Sequence, residues 1–155
     1  MNALDLSLTK KFINLLMING KKNLAYKIFC VARYEFLRSS LRSLKTDKFS
    51  GGIPNQLRVA VENCRPSLEC RKCKVGGTSR LVPAIVPQNR GESLAVRWIV
   101  QSARNRSRKS ALPLSQCLAQ ELLDAYSKSG WPRQRRDQYH KLSEVNRGAL
   151  RYRWW

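Results

Sequence analysis

Acidic side chains are scarce in this chain. Ten Asp and Glu stand against 30 Lys and Arg over 155 residues, leaving a formal net charge of +20. A body with so few acids repels itself unless a polyanion surrounds it. Histidine is scarcer still. His140 is the only one, and its sequence neighbours are basic. A catalytic triad needs a nucleophile and an acidic orienter near the histidine, and the sequence nominates neither. No GxxxxGK[ST] run occurs, and Gly76-Gly77 lacks both the following Lys-Ser/Thr and the helix that such a phosphate loop opens. The acids do not pair at metal or acid–base spacing. The expectation is a protein without catalysis and without a cofactor.

Long apolar runs are also missing: none approaches the ~20 residues of a spanning helix. Nucleic acid is therefore favoured over a membrane as the polyanion. The first residues, MNALDLSLTKKFINLL, show neither a basic n-region before an apolar stretch nor an Arg/Ser-rich presequence. This predicts work in the compartment of synthesis. Cysteine is present but odd in number: Cys30, Cys64, Cys70, Cys73 and Cys117. A scattered odd set is no disulfide framework and points to a reducing compartment. Cys70-x-x-Cys73 has metal-like spacing, but a structural zinc site needs four ligands, and Cys64 and His140 do not form a second pair. Free thiols are expected; a zinc-stapled RNA adaptor is the alternative.

What is present is a basic ribbon in the middle of a helical chain. Residues 65–87, RPSLECRKCKVGGTSRLVPAIVP, read as two extended segments around a Val75-Gly76-Gly77 turn. Gly-Gly supplies the positive φ angles of a tight hairpin. The first arm carries Arg71, Lys72 and Lys74, and the second Arg80. Pro83 and Pro87 cannot donate to a ladder, so the second arm lies on an edge or protrudes.

Helical patterns flank the ribbon. Residues 1–9 are weakly patterned. A first helix is expected from Thr9 as its cap to Gly20, followed by the cationic pair Lys21-Lys22. A second carries Leu24, Ile28, Val31, Ala32 and Phe36 as its core stripe and gives way to a polar loop over residues 41–52. Pro54 opens a third, with Leu57, Ala60, Val61 and Cys64 inward and Pro66 as its stop. A fourth spans about residues 91–107. It places Ala95, Val96, Ile99, Val100 and Ala103 on one side and Arg97, Gln101, Arg104 and Arg108 on the other, with Arg90 in line if the helix starts early. That basic stripe contains no acid, which favours phosphate binding over a merely solvated face. It runs on into a basic turn, ARNRSRKS. A fifth helix aligns Leu114, Leu118, Leu122 and Ala125 between Pro113 and Gly130, and is the expected central core helix. The last segment sets Leu142, Val145, Ala149 and Tyr152 on an apolar side and Arg136, His140, Arg147 and Arg151 on the other. Its ending, Arg-Tyr-Arg-Trp-Trp, suits stacking on bases, while Trp154 equally suits closing the core.

These residues carry a resemblance. The passages FINLLMINGKKNLAYKI, VENCRPSLE with KVGGTSRLVPAIV, LAVRWIVQSAR and NRGALRYRW resemble the small-subunit ribosomal protein seven family of bacterial and organellar type. The match covers nearly the whole chain from about residue 10. The resemblance implies a single mainly α domain over residues 1–155: a bundle of about six helices with a β-hairpin between the third and fourth. It implies a structural ribosomal protein that binds the 3′ major (head) domain of small-subunit rRNA, nucleates head assembly, and holds its hairpin near the exit-site tRNA and the mRNA path. Neighbouring small-subunit proteins are then partners, and self-association is not expected. Together with the charge pattern, it gives an RNA-binding set of Lys21, Lys22, Arg71, Lys72, Lys74, Gly76, Gly77, Arg80, Arg97, Arg104, Arg108, Arg136, Arg147 and Arg151.

The chain departs from the family in three places. Its start is not the strongly basic arm the family commonly has, residues 41–52 match poorly, and the double Trp and five cysteines are unusual for bacteria. They look more like a mitochondrially encoded member, with plastid and bacterial origins as alternatives. A reading of a different class is a free-standing DNA-binding regulator, with a helix in a groove and the ribbon as a wing.

Overall fold

The computed structural model describes residues 3–43 and 53–155. Six α-helices run in the order α1 (Ala3–Leu16), α2 (Lys22–Ser43), α3 (Ile53–Cys64), α4 (Gln88–Lys109), α5 (Leu114–Tyr126) and α6 (Gly130–Val145). Strands β1 (Leu68–Val75) and β2 (Thr78–Ile85) lie between α3 and α4, and a 3₁₀ segment, Arg147–Tyr152, follows α6. The fold is mainly helical with an inserted two-stranded hairpin, as expected.

Helix α5 is the hub and packs against α2, α3, α4 and α6. Leu118, Ala119, Leu122 and Ala125 of α5 meet Ala25, Phe29, Ala32 and Phe36 of α2, Leu57, Ala60, Val61 and Cys64 of α3, and Ala95, Val96, Ile99, Val100 and Ala103 of α4 in one buried cluster. The inward faces expected for α3 and α4 are the buried ones. Helix α1 adds Leu8, Phe12, Ile13 and Leu16, and Phe12 stacks on Phe29 at 5.2 Å between centroids. Alanines on the inner faces of α2 and α5 let the backbones approach, and the buried phenylalanines fill space between them.

Several expectations are corrected. Helix α1 starts at Ala3, so Thr9 is an interior residue and not the cap. The core stripe of α2 is Ala25, Phe29, Ala32 and Phe36, whereas Leu24 (56% exposed) and Val31 (47%) face outward and Ile28 is half-buried. The helix has two apolar stripes a residue apart, and the ring stack on Phe12 selects the one carrying Phe29. Helix α2 continues to Ser43, into the expected loop; the rest of that loop, residues 44–52, lies outside the described residues. The expected basic turn after α4 is helix as far as Lys109. Gly130, with φ of 85°, opens α6 and does not end α5, whose end is closed by Ser127 and the left-handed Lys128 (φ 59°). The predicted apolar side of the last segment is largely outside: Val145 is 84% exposed and Leu142 is also exposed. Trp154, at 80% exposure, does not close the core.

The hairpin is in the expected place. Val75 pairs with Thr78, Cys70 with Pro83 and Leu68 with Ile85. Gly76 and Gly77 have φ of 55° and 80°, the two consecutive positive values that a two-residue loop demands. The base of the ribbon packs on α6 and the 3₁₀ segment, and buried Val82, Ala84 and Val86 lie along β2 and just past its end. Pro87 is outside the strand and caps α4. The first turn of α4 lies tight against the link between α3 and β1. A Cβ on Gly91 would meet Arg65 Cγ at 2.9 Å and the Pro66 carbonyl oxygen at 3.2 Å.

Candidate nucleic-acid interface

The positive charge divides into two populations. One closes the fold. Helices leave their last carbonyls unpaired, with the negative end of the helix dipole beside them. Here side chains from other helices supply the donors. Arg104 of α4 donates to the carbonyls of Leu15 (2.9 Å) and Leu16 (3.3 Å) at the end of α1. Arg133 and Arg136 of α6 donate to the Asn63 carbonyl near the end of α3, at 2.9 and 3.1 Å. The Asn63 amide in turn donates to the Ala125 and Tyr126 carbonyls of α5.

Other arginines neutralise buried acids. Glu69, with its side chain only 7% exposed, accepts from Arg71 (3.1 Å) and Arg90 (2.9 Å). Glu121 is buried, and Arg106 bridges it to Asp124 at 2.7 Å on each side. Burial works against the Arg106 charge, but the Glu121 and Asp124 carboxylates outweigh it and hold the guanidinium above its ordinary pKa. Arg90 and Arg136 are therefore not free members of a binding face; each is tied to the protein's own acids or carbonyls.

The second population, Arg97 and Arg108 on α4 with Lys21 and Lys22, has no ion-pair partner among the described residues. Arg97, Gln101, Asn105 and Arg108 of α4, with Arg104 among them, line an open cleft of about 450 Å³ whose apolar wall is Leu15 and Val100. The predicted stripe thus exists as one contiguous surface. Among the described residues, Arg97 and Arg108 have no ion-pair partner. Lys21 and Lys22 are exposed just past Asn19 and Gly20, whose φ values of 51° and 72° turn the chain after α1.

The ribbon presents a separate cationic surface. Lys72, Lys74 and Arg80 are exposed, as are Gly76 and Gly77 at the tip. Arg80 is held against the tail: its guanidinium lies 4.7 Å from the Tyr152 ring centre, and Arg71 lies 5.7 Å from that of Trp155. The Cys73 thiol points at the Tyr152 carbonyl (3.7 Å) and Cys70 at the Ser143 hydroxyl (3.5 Å). Among the described residues no three His, Cys, Asp or Glu side chains converge as metal ligands. Arg147 borders a groove between the ribbon base and α6, and Arg151 is exposed over Tyr152.

His140 does not join Arg147 and Arg151 on an open face. It turns toward the ribbon base, where its Nε2 accepts from the Ser67 backbone N–H at 3.1 Å. Burial lowers its pKa, and the Arg136 charge lowers it further. A neutral imidazole is what that acceptor role requires. The sequence stripe found the α4 cleft but not the capping roles of Arg104, Arg133 and Arg136. Those roles depend on which helix end lies opposite, which no local pattern encodes.

The chain is similar in sequence to known proteins. The profile of the ribosomal protein S7p/S5e family matches residues 3–147. A small ribosomal subunit protein uS7m of Marchantia polymorpha is 37% identical over the whole chain, which spans 63% of that relative's length. A uS7m of Prototheca wickerhamii is 29% identical, again over the whole chain and 92% of the relative. A uS7 of Dictyoglomus turgidum is 39% identical over 95% of this chain and 86% of its own length. A helical bundle with a glycine-tipped basic hairpin, an unneutralised arginine face and this degree of likeness lead to one conclusion: the chain belongs to the ribosomal protein S7p/S5e family.

Proposed function

We propose that this protein is a structural, non-catalytic constituent of the small ribosomal subunit. In this reading it binds the head domain of the subunit's rRNA through the α4 face and Lys21-Lys22, and helps that domain assemble. The observation that carries the proposal is the α4 cleft. Arg97 and Arg108 there face solvent with no acid partner among the described residues, in a chain of net charge +20 from which other arginines have been withdrawn into internal pairs. Unpaired guanidinium groups on a rigid helix are suited to phosphates, and displacing counterions there gives affinity that falls with salt.

The ribbon then serves as a reach rather than as the anchor. Its basic tip, Lys72 to Arg80, extends toward exit-site tRNA and mRNA, while its base and the α6 side meet neighbouring small-subunit proteins. The protein works as one domain and one copy per subunit. The mitochondrial uS7m relatives support a place in the mitochondrial ribosome.

Binding of the full chain to a transcript of the head rRNA domain tests the reading. The double charge reversal Arg97→Glu with Arg108→Glu is expected to abolish binding at moderate salt and to remove the protein from sedimenting small subunits. Undiminished affinity would overturn the α4 face as the rRNA surface. Sequence-selective binding to duplex DNA as a dimer would favour a regulator instead.

A further inference from the structure

The α4 cleft is built for more than phosphates. Besides Arg104, its polar residues lie along one helix face as two amides flanked by two arginines: Arg97, then Gln101 one turn on, Asn105 another turn on, and Arg108 near the helix end. Among the described residues none of these four side chains has a polar partner. Phosphate needs charge, and the arginines supply it. Side-chain amides supply something different: a donor and an acceptor side by side, the pattern that matches the edge of a nucleobase.

The same cleft has an apolar lining, half-buried Leu15 from α1 and buried Val100 from α4. A purely electrostatic surface has no use for such a wall, whereas the face of a base does. The cleft, at about 450 Å³, lies within the range of small-ligand pockets. Arg104 contributes as a positioning residue. By taking up the Leu15 and Leu16 carbonyls, it covers the negative end of α1, which would otherwise repel a phosphate at this point.

We propose that this cleft receives a single unstacked nucleotide of the RNA. Its base lies on Leu15 and Val100, its edge is hydrogen-bonded by Gln101 and Asn105, and its flanking phosphates are held by Arg97 and Arg108. The inference rests on the rRNA-binding reading above and adds base recognition to it. The face then contributes specificity, and not affinity alone.

The test compares two double variants of the full chain on the head-domain rRNA transcript across a salt series. Arg97→Ala with Arg108→Ala removes charge, so its dependence of log Kd on log salt should become shallower by up to about two phosphate contacts. Gln101→Ala with Asn105→Ala keeps the charge and the helix. It is expected to weaken binding roughly tenfold with the salt slope unchanged. It should also restore chemical reactivity at the Watson–Crick or Hoogsteen edge of one nucleotide that the unaltered protein protects. Thermal melting of each variant verifies the fold.

If the amide variant binds as tightly as the parent with the same base protections, the nucleotide site is overturned while the phosphate-binding face stands. If neither pair changes affinity or slope, the rRNA-binding reading of this face falls as well. A loss of affinity with no single-base change in protection also overturns the proposal, since the amides would then act only on the backbone.

Discussion

Arg104, in the last third of one long helix, donates to the Leu15 carbonyl at the end of another, at 2.9 Å. One guanidinium thereby joins α4 to α1 beneath the cleft that the neighbouring arginines line. Arg104→Ala is expected to lower stability by about 1.5–3 kcal/mol, the scale for a hydrogen bond to a charged group. Arg97→Ala, two turns earlier and exposed, should stay within about 0.5 kcal/mol of the parent. Urea unfolding of both variants checks the contrast. Equal stabilities would mean that Arg104 is an ordinary surface arginine.

The Arg106–Glu121 pair should be the most costly charge to disturb. The Glu121 side chain is only 3% exposed, and its second carboxylate oxygen is buried with no hydrogen-bond partner among the described residues. Removing the guanidinium with Arg106→Ala strands that carboxylate and is expected to cost about 3–5 kcal/mol. The double variant Arg106→Leu with Glu121→Leu should recover much of the loss, because neither charge is then left alone. Chemical denaturation reads both; a single variant within 1 kcal/mol of the parent is the contrary result.

Acid should loosen the joint between α6 and the ribbon. His140 accepts from the Ser67 N–H, and burial with the nearby Arg136 charge sets its pKa below the ordinary 6.5, against the opposing pull of Asp137. The folded state therefore binds this proton less readily than the unfolded chain, so stability falls as pH drops below about 6.5. Asp137 is a separate case. Burial favours its neutral form, but the hydrogen bond and charge of Arg136 prevail and lower its pKa. Its contribution is lost only on descent through the carboxylate range. Unfolding midpoints at pH 7.5 and pH 5.5 should differ for the parent and differ less for His140→Phe. An identical pH dependence in the two would remove His140 as the cause.

Thiol chemistry should separate the cysteines sharply. Cys30 is exposed, whereas Cys64, Cys73 and Cys117 are buried. Burial pushes the Cys64 thiol up to about 11, although Arg133 and Arg136 pull it down. Since the thiolate is the nucleophile, alkylation of the folded chain at pH 8 should label Cys30 first and leave Cys64 unmodified until the chain is unfolded. Mass spectrometry of the labelled peptides reports the order.

The tail should stiffen the ribbon. Tyr152 carries Arg80 on its ring and its carbonyl accepts from Cys73, so it touches both strands. Ending the chain after Leu150 is expected to raise backbone hydrogen exchange across β1 and β2 while leaving α3–α5 unchanged. Exchange in the strands equal to that of the full chain would show that α6 alone supports the ribbon.

Much of this was legible beforehand because it depends on short-range chemistry. The hairpin and the place of its turn follow from Gly76-Gly77 between two extended runs, since few other residues adopt two successive positive φ angles. The inner faces of α3, α4 and α5 follow from apolar spacing, and the α4 arginine stripe follows from the same periodicity read on the outer side. What the sequence determined by itself was therefore the order of elements, the arm, and the excess of positive charge that calls for a polyanion. Tertiary structure decided the rest. Helix α2 carries two apolar stripes, and only docking on Phe12 selects Phe29 over Val31. Arginines at 97, 104, 106 and 136 look alike in sequence, yet one faces an open cleft, two close helix ends and one neutralises a buried glutamate. A charge is free or spent according to what folds against it, and that is set by contacts between residues far apart in the chain.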